Sequence, residues 1–307
     1  MVIASSYYTR ATQNSLIRAD QEIYRADSVD RVQFSISDDN GKTWTPTENI
    51  QTTLPEGTGT RQISYRSGVA DPVTDRFIQI YNSAYWPTDN PLDGMKRWLP
   101  HYRVSEDGGR TWIIDEPIIQ SGAEYDASHP MAGVWEGRNC CMQGDLGSVP
   151  LCLPTGEILV PVQISPVGAD GHYHHPTHGY TFTDAAVLIG KWNVSGKMDW
   201  ELSERISIDE NVSTRGLIEP TLGILSDNRL LMVMRGSNDG RPDVGSPFRP
   251  MAAAHGPPLS LGAMTTKARS FPPAPALSSS DIRRVNYSGW ETSLRKTPMG
   301  INPAIPS

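Results

Sequence analysis

Cysteine is scarce in this 307-residue chain: there are three, Cys140, Cys141 and Cys152. An odd count cannot complete a disulfide framework. A bridge between neighbours is strained, so Cys140 and Cys141 are expected to lie reduced in a buried strand. Basic charge is also short, with 27 Lys and Arg against 34 Asp and Glu and a formal net charge of −7. A protein that binds nucleic acid by neutralising phosphates carries the opposite balance, so nucleic acid is excluded as an expected partner. No apolar run is long enough for a membrane span. No charged segment followed by an apolar run opens the chain, which leaves two compartments open: the cytoplasm, or wherever a lost leader would have sent it. What is plentiful is punctuation, with 27 Gly and 25 Pro, and eight Trp spread along the sequence. Frequent turns, short strands and aromatic anchors predict an all-β architecture.

Internal repetition sharpens that expectation. Ser37-Asp38-Asp39-Asn40-Gly41-Lys42-Thr43-Trp44 and Ser105-Glu106-Asp107-Gly108-Gly109-Arg110-Thr111-Trp112 share the pattern S-x-D-x-G-x-T-W. Each follows a strand-like run, Val32 to Ile36 and His101 to Val104. Asp39 and Asp107 can accept hydrogen bonds from turn amides, and Gly41 and Gly109 supply φ > 0. Trp44 and Trp112 are expected to anchor the returning strand in the core. A second repeat places a turn residue before an apolar strand: Asp75 before Arg76 to Tyr81, Gly156 before Glu157 to Val162, and Asn228 before Arg229 to Met234. Ala185 to Trp192 reads as a further strand, with Trp200-Glu201-Leu202 as its returning partner and no octapeptide between.

The octapeptide resembles the Asp-box, or bacterial neuraminidase repeat, of the sialidase superfamily. In that family it turns between the third and fourth strands of a propeller blade. The resemblance implies a β-propeller of four-stranded antiparallel blades, six in the family. This chain has material for about four, and an open arc would leave sheet edges that closure normally protects. The box is scaffold and also occurs in propellers without sialidase activity.

The resemblance also implies a chemistry. Sialidases use a Tyr nucleophile in place of the usual second carboxylate, activated by a Glu, with an Asp as acid and base. Three Arg clamp the substrate carboxylate, because a guanidinium presents parallel donors to two oxygens. The segment from Arg215 to Arg235 resembles the hairpin in which the activating Glu opens one strand and a clamp Arg ends the next. On that resemblance Glu219 is the activating residue and Arg235 binds substrate; the bland alternative is a surface Glu and a strand-end Arg. Pro220 departs from the Ser or Cys common after that Glu, which bears on substrate class. The acid Asp should precede the first box, and Asp27 is the nearest match among Asp20, Asp27 and Asp30. The Arg-Ile-Pro motif of the first clamp residue is absent, which reads as an N-terminal truncation of the first blade; Arg10 and Arg18 are substitutes without motif support.

Four histidines fall between His172 and His178. With Asp170 or Asp184 they could ligate a metal, but Gly171 and Pro176 make the segment a loop, and a polar rim contacting sugar hydroxyls is the preferred reading. No metal and no cofactor are assigned. Asn193-Val194-Ser195, Asn211-Val212-Ser213 and Asn286-Tyr287-Ser288 fit the glycosylation pattern, which carries no meaning without secretion.

Residues 1–244 are thus expected to form a partial propeller, and residues 245–307 an aberrant tail. From Pro247 to Ser280 the sequence is rich in Pro, Ala and Ser and loses the strand alternation. One reading is disorder. Another is a shifted reading frame: read from the third base of each codon, Pro247 through Pro258 can encode VSTDGG, one loosely fixed position and TWSP, a third box. In that case the chain lacks the third clamp Arg and the nucleophile, and Tyr287 is not assigned. The expected function is a sialidase-like glycoside hydrolase removing a terminal sialic acid or related acidic sugar from a glycan, inactive if those pieces are missing. The alternatives are a non-catalytic propeller that binds glycans or protein partners, and a degraded gene product.

Overall fold

The fold is that of a computed structural model, which describes residues 3–25, 28–88, 90–144, 147–176, 182–211, 213–226, 228–236 and 250–255. The positions at which the second repeat places a turn residue all adopt left-handed backbone: Asp75 at φ 56°, Gly156 at 94° and Asn228 at 62°. Short polar residues and glycine tolerate that region, and each launches an apolar strand. Those three strands are equivalent second strands of successive antiparallel sheets.

The first sheet is β1 (Ile3–Arg10), β2 (Leu16–Arg25), β3 (Ser28–Ser37) and β4 (Thr45–Gln51), paired in chain order. The second is β6 (Gly59–Asp71), β7 (Arg76–Trp86), β8 (Leu99–Ser105) and β9 (Ile114–Pro117), with β5 (Thr53–Glu56) added outside β6. A single helical turn, α1 (Pro91–Gly94), interrupts the loop between β7 and β8. In the third sheet the first strand is broken into β10 (Cys141–Met142) and β11 (Leu151–Cys152), both paired with β12 (Ile158–Ile164). Then come β13 (Asp184–Trp192) and β14 (Met198–Leu202), the strand and returning partner expected there. The fourth sheet holds β15 (Ile218–Ile224), β16 (Leu230–Arg235) and β17 (Pro250–His255). Within the stretch expected to be an aberrant tail only β17 is described; its backbone runs beside β16. The rest of 245–307, Tyr287 included, lies outside the described residues.

Each sheet packs face to face on the next. Phe34 and Ile36 of the first meet Tyr65 and Phe77 of the second. Ile80 and Tyr102 of the second meet Val160 and Trp200 of the third, where Trp200 is 2% exposed and edge-on to Tyr102 at 5.3 Å. Leu159 and Val187 of the third meet Leu222 and Met232 of the fourth. Consecutive antiparallel sheets, each packed face to face on the next, are propeller blades; among the described residues the fourth shows three strands. Alternation explains the seams: one face of each strand supplies each core.

Both octapeptides turn between the third and fourth strands of their blades. Asp39 Oδ1 accepts the amides of Lys42 at 3.0 Å and Thr43 at 2.8 Å; Asp107 Oδ1 accepts those of Arg110 at 2.9 Å and Thr111 at 2.8 Å. Ser37 and Ser105 accept the amides of Gly41 and Gly109, whose φ values are 84° and 92°. The third blade makes a related turn with another residue: Asn193 Oδ1 accepts the amides of Ser195 at 3.0 Å and Lys197 at 3.2 Å.

One expectation needs correcting. Trp112 does enter the seam between the first two blades, against Phe77. Trp44 instead lies half-buried beside Tyr8, which is 45% exposed, and under Arg18. The first blade has a neighbouring sheet on one face only among the described residues, so a tryptophan on its other face has no core to enter. Cys140 and Cys141 are buried free thiols, as expected.

Candidate functional site

Second strands begin at the end of the blade that carries the octapeptides: Arg76, first residue of β7, pairs with Glu106 at 2.7 Å. They therefore finish at the opposite rim, which for β12 and β16 means Ile164 and Arg235. The Glu219–Arg235 hairpin follows this rule. Its turn is closed by the Asn228 amide on Leu225 O at 2.9 Å, and β15 and β16 then run antiparallel so that Ile218 sits opposite Arg235. The side chains meet at that rim, with Arg235 Nη1 donating to Glu219 Oε1 at 2.8 Å. Their side chains are 38% and 28% exposed, so the pair is open to a ligand from solvent.

Behind the pair lies a polar seam. Gln163 Oε1 accepts the Glu219 amide at 2.7 Å. Between β10 and β11, Gly144 presses so closely that an added Cβ would lie 2.8 Å from Glu219 Cα. Arg66 of β6 donates from Nε to Gly144 O at 2.8 Å and from Nη1 to Ser64 Oγ at 2.5 Å. Asn82 of β7 pairs its amide with the Gln143 backbone in both directions, at 2.8 and 3.0 Å. Tyr7 Oη donates to Arg66 O at 3.2 Å, and burial pushes its phenol well above the usual range. The first blade thus holds the second at Arg66, the second holds the third at Gln143 and Gly144, and the third touches the Glu219 backbone through Gln163 and Gly144.

Sequence reasoning missed Gln163, Gly144, Arg66, Asn82 and Gln143. Only Arg66 left a signal, as a cation inside the strand run Ser64-Tyr65-Arg66-Ser67. Asp27, the expected acid, lies outside the described residues. The substitutes for the first clamp residue are engaged elsewhere: Arg10 with Gln13 O at 2.9 Å, and Arg18 with Asp20 at 2.9 Å.

The histidine loop leaves β12 at the same rim. His174 pairs with Glu210 at 3.2 Å, and His175 stacks on Tyr173 at 5.6 Å; His178 lies outside the described residues. Among the described residues no three His, Cys, Asp or Glu side chains converge as for a metal ion. Nor is any helix among them long and apolar enough to cross a membrane.

The class this architecture defines is a β-propeller-like fold, with four sheets among the described residues. No protein-family model and no curated protein matches the sequence. Among solved structures, a protein of unknown function from Dyadobacter fermentans aligns at TM-score 0.50 and 14% identity, over 83% of this chain and 65% of its own. A sialidase from Trypanosoma rangeli, in complex with 2,3-difluorosialic acid, aligns at 0.46 and 13% over 81% and 35%. The NanB sialidase of Streptococcus pneumoniae aligns at 0.37 and 13% over 77% and 29%. This chain therefore spans less than two thirds of each of these proteins. At such identities the first likeness bears on the fold alone.

Proposed function

We propose that this chain is part of a sialidase-like glycoside-hydrolase propeller, with its rim pair serving a terminal sialic acid or related acidic sugar. The observation that carries the reading is the Glu219–Arg235 contact of 2.8 Å at the rim opposite the octapeptide turns. In this role Arg235 offers parallel N–H donors to the sugar carboxylate, and Glu219 serves as the base that activates a nucleophile. Glu219 holds the guanidinium in place until a ligand carboxylate arrives. Asp27 completes the proposal as acid and base, and residues beyond Val244 are proposed to derive from a shifted frame.

Fluorogenic sialoside hydrolysis tests this on the present chain and on one expressed with the frame restored at Gly245. Turnover by the restored chain, abolished by Glu219→Gln, is the expected result. Binding without turnover in the restored chain would favour the alternative of a glycan-binding propeller. Neither binding nor turnover would end both readings.

A further inference from the structure

Glu219 stands in a backbone conformation that its own sequence disfavours. Its φ is 51°, in the left-handed region that a long side chain such as Glu seldom adopts, and Pro220 follows it, which pushes the preceding residue toward extended geometry. The β15–β16 ladder shifts between Ile218 and Thr221. Such a bulge re-aims a side chain, and the neighbouring strand no longer fixes the register of the bulged residue.

The holding group comes from the adjacent blade. Gln163 Oε1 accepts the Glu219 amide at 2.7 Å. Gln163 is only 6% exposed and lies opposite both Met142 of β10 and Ala185 of β13 in the ladders, so its backbone is fixed on both sides. Gly144 lets the seam close, since a Cβ there would also meet Ser148 Oγ at 2.6 Å.

We propose that Gln163 is a positioning residue, whose side-chain carbonyl holds the left-handed bulge that turns the Glu219 carboxylate onto Arg235. A consequence for sugar binding rests on the function proposed above; the geometric role does not.

The full chain, labelled with 15N, tests it by amide exchange at Glu219 and by the Arg235 Nε–H resonance, with N-acetylneuraminic acid titrated in parallel. In Gln163→Leu the Glu219 amide should exchange roughly tenfold faster, as a lost hydrogen bond of this kind implies, while Met232 is unchanged. The Arg235 resonance should broaden, and sugar binding should weaken. Gln163→Glu retains an acceptor and should keep Glu219 protected. If Gln163→Leu does not fold, Gln163→Ser, too short to reach the amide, takes its place. Unchanged exchange on loss of the acceptor, or equal loss in Gln163→Glu, overturns the proposal. A frame-restored chain with a protected Glu219 amide and no sugar binding would instead overturn the functional reading and leave the positioning role standing.

Discussion

Arg103 joins the first two blades, and removing it should separate them. Its side chain is 3% exposed and sits over the Trp112 ring at 3.7 Å, with Tyr65 at 4.8 Å and Phe34 at 5.2 Å. Nε donates to Gln79 Oε1 at 2.7 Å, and Nη1 and Nη2 reach the two oxygens of Glu48 at 3.3 and 3.0 Å. Breaking a buried pair by deleting one partner costs about 3–5 kcal/mol. Glu48 is 27% exposed, so water partly solvates the stranded carboxylate and the lower end applies. The ring contacts add about 1–2 kcal/mol when desolvated. Arg103→Ala should therefore lose about 4 kcal/mol. Arg103→Lys keeps the charge without the planar fork and should lose about half that. Urea unfolding followed by tryptophan fluorescence measures both, and a cycle with Glu48→Gln isolates the coupling. A loss within about 0.5 kcal/mol of zero for Arg103→Ala, the range of an uninvolved surface change, would refute the view that this cation ties the blades together.

Other outcomes follow from the same structure. Burial tends to raise the Asp107 carboxyl, but hydrogen bonds from Thr111, Ser105 and the Arg110 amide outweigh it and hold the group at about 2. A depressed folded-state value stabilises above the unfolded value of about 3.9, so this contribution should fade as pH falls from about 4 through about 2; Asp107→Asn should flatten that part of the acid-unfolding curve. Burial pushes the Cys140 and Cys152 thiols up to about 12 and Cys141 higher still. Ellman's reagent at pH 8 should accordingly find no rapidly reacting thiol in the folded chain and all three in denaturant. Sequencing the gene downstream of the Val244 codon should reveal a continuous homologous frame offset from the translated one; its absence would dispose of the frame-shift proposal.

Much of the fold was legible because its signals are local. The octapeptides satisfy their own turn amides within four or five residues, and Asp75, Gly156 and Asn228 adopt left-handed backbone wherever they precede a strand. The Glu219 hairpin was legible for the same reason, since one turn sets the register that brings Arg235 back to it. What escaped depends on which blade lies alongside. Gln163, Gly144 and Arg66 matter only because each blade holds the next behind Glu219, and no spacing in the sequence records those contacts. Trp44 has the same residue pattern as Trp112 and a different fate, because among the described residues only Trp112 faces a second sheet.

The central claim is that the rim guanidinium receives a sugar carboxylate. Ligand-observed NMR with N-acetylneuraminic acid and its methyl ester, on the frame-restored parent chain and on its Arg235→Ala variant, tests it most directly. A charge-assisted hydrogen bond is worth about 1.5–3 kcal/mol, so the account predicts that the free acid binds the parent at least about tenfold more tightly than it binds Arg235→Ala, and that the ester binds neither. Equal binding of acid and ester, or undiminished binding of the acid by Arg235→Ala, would contradict it.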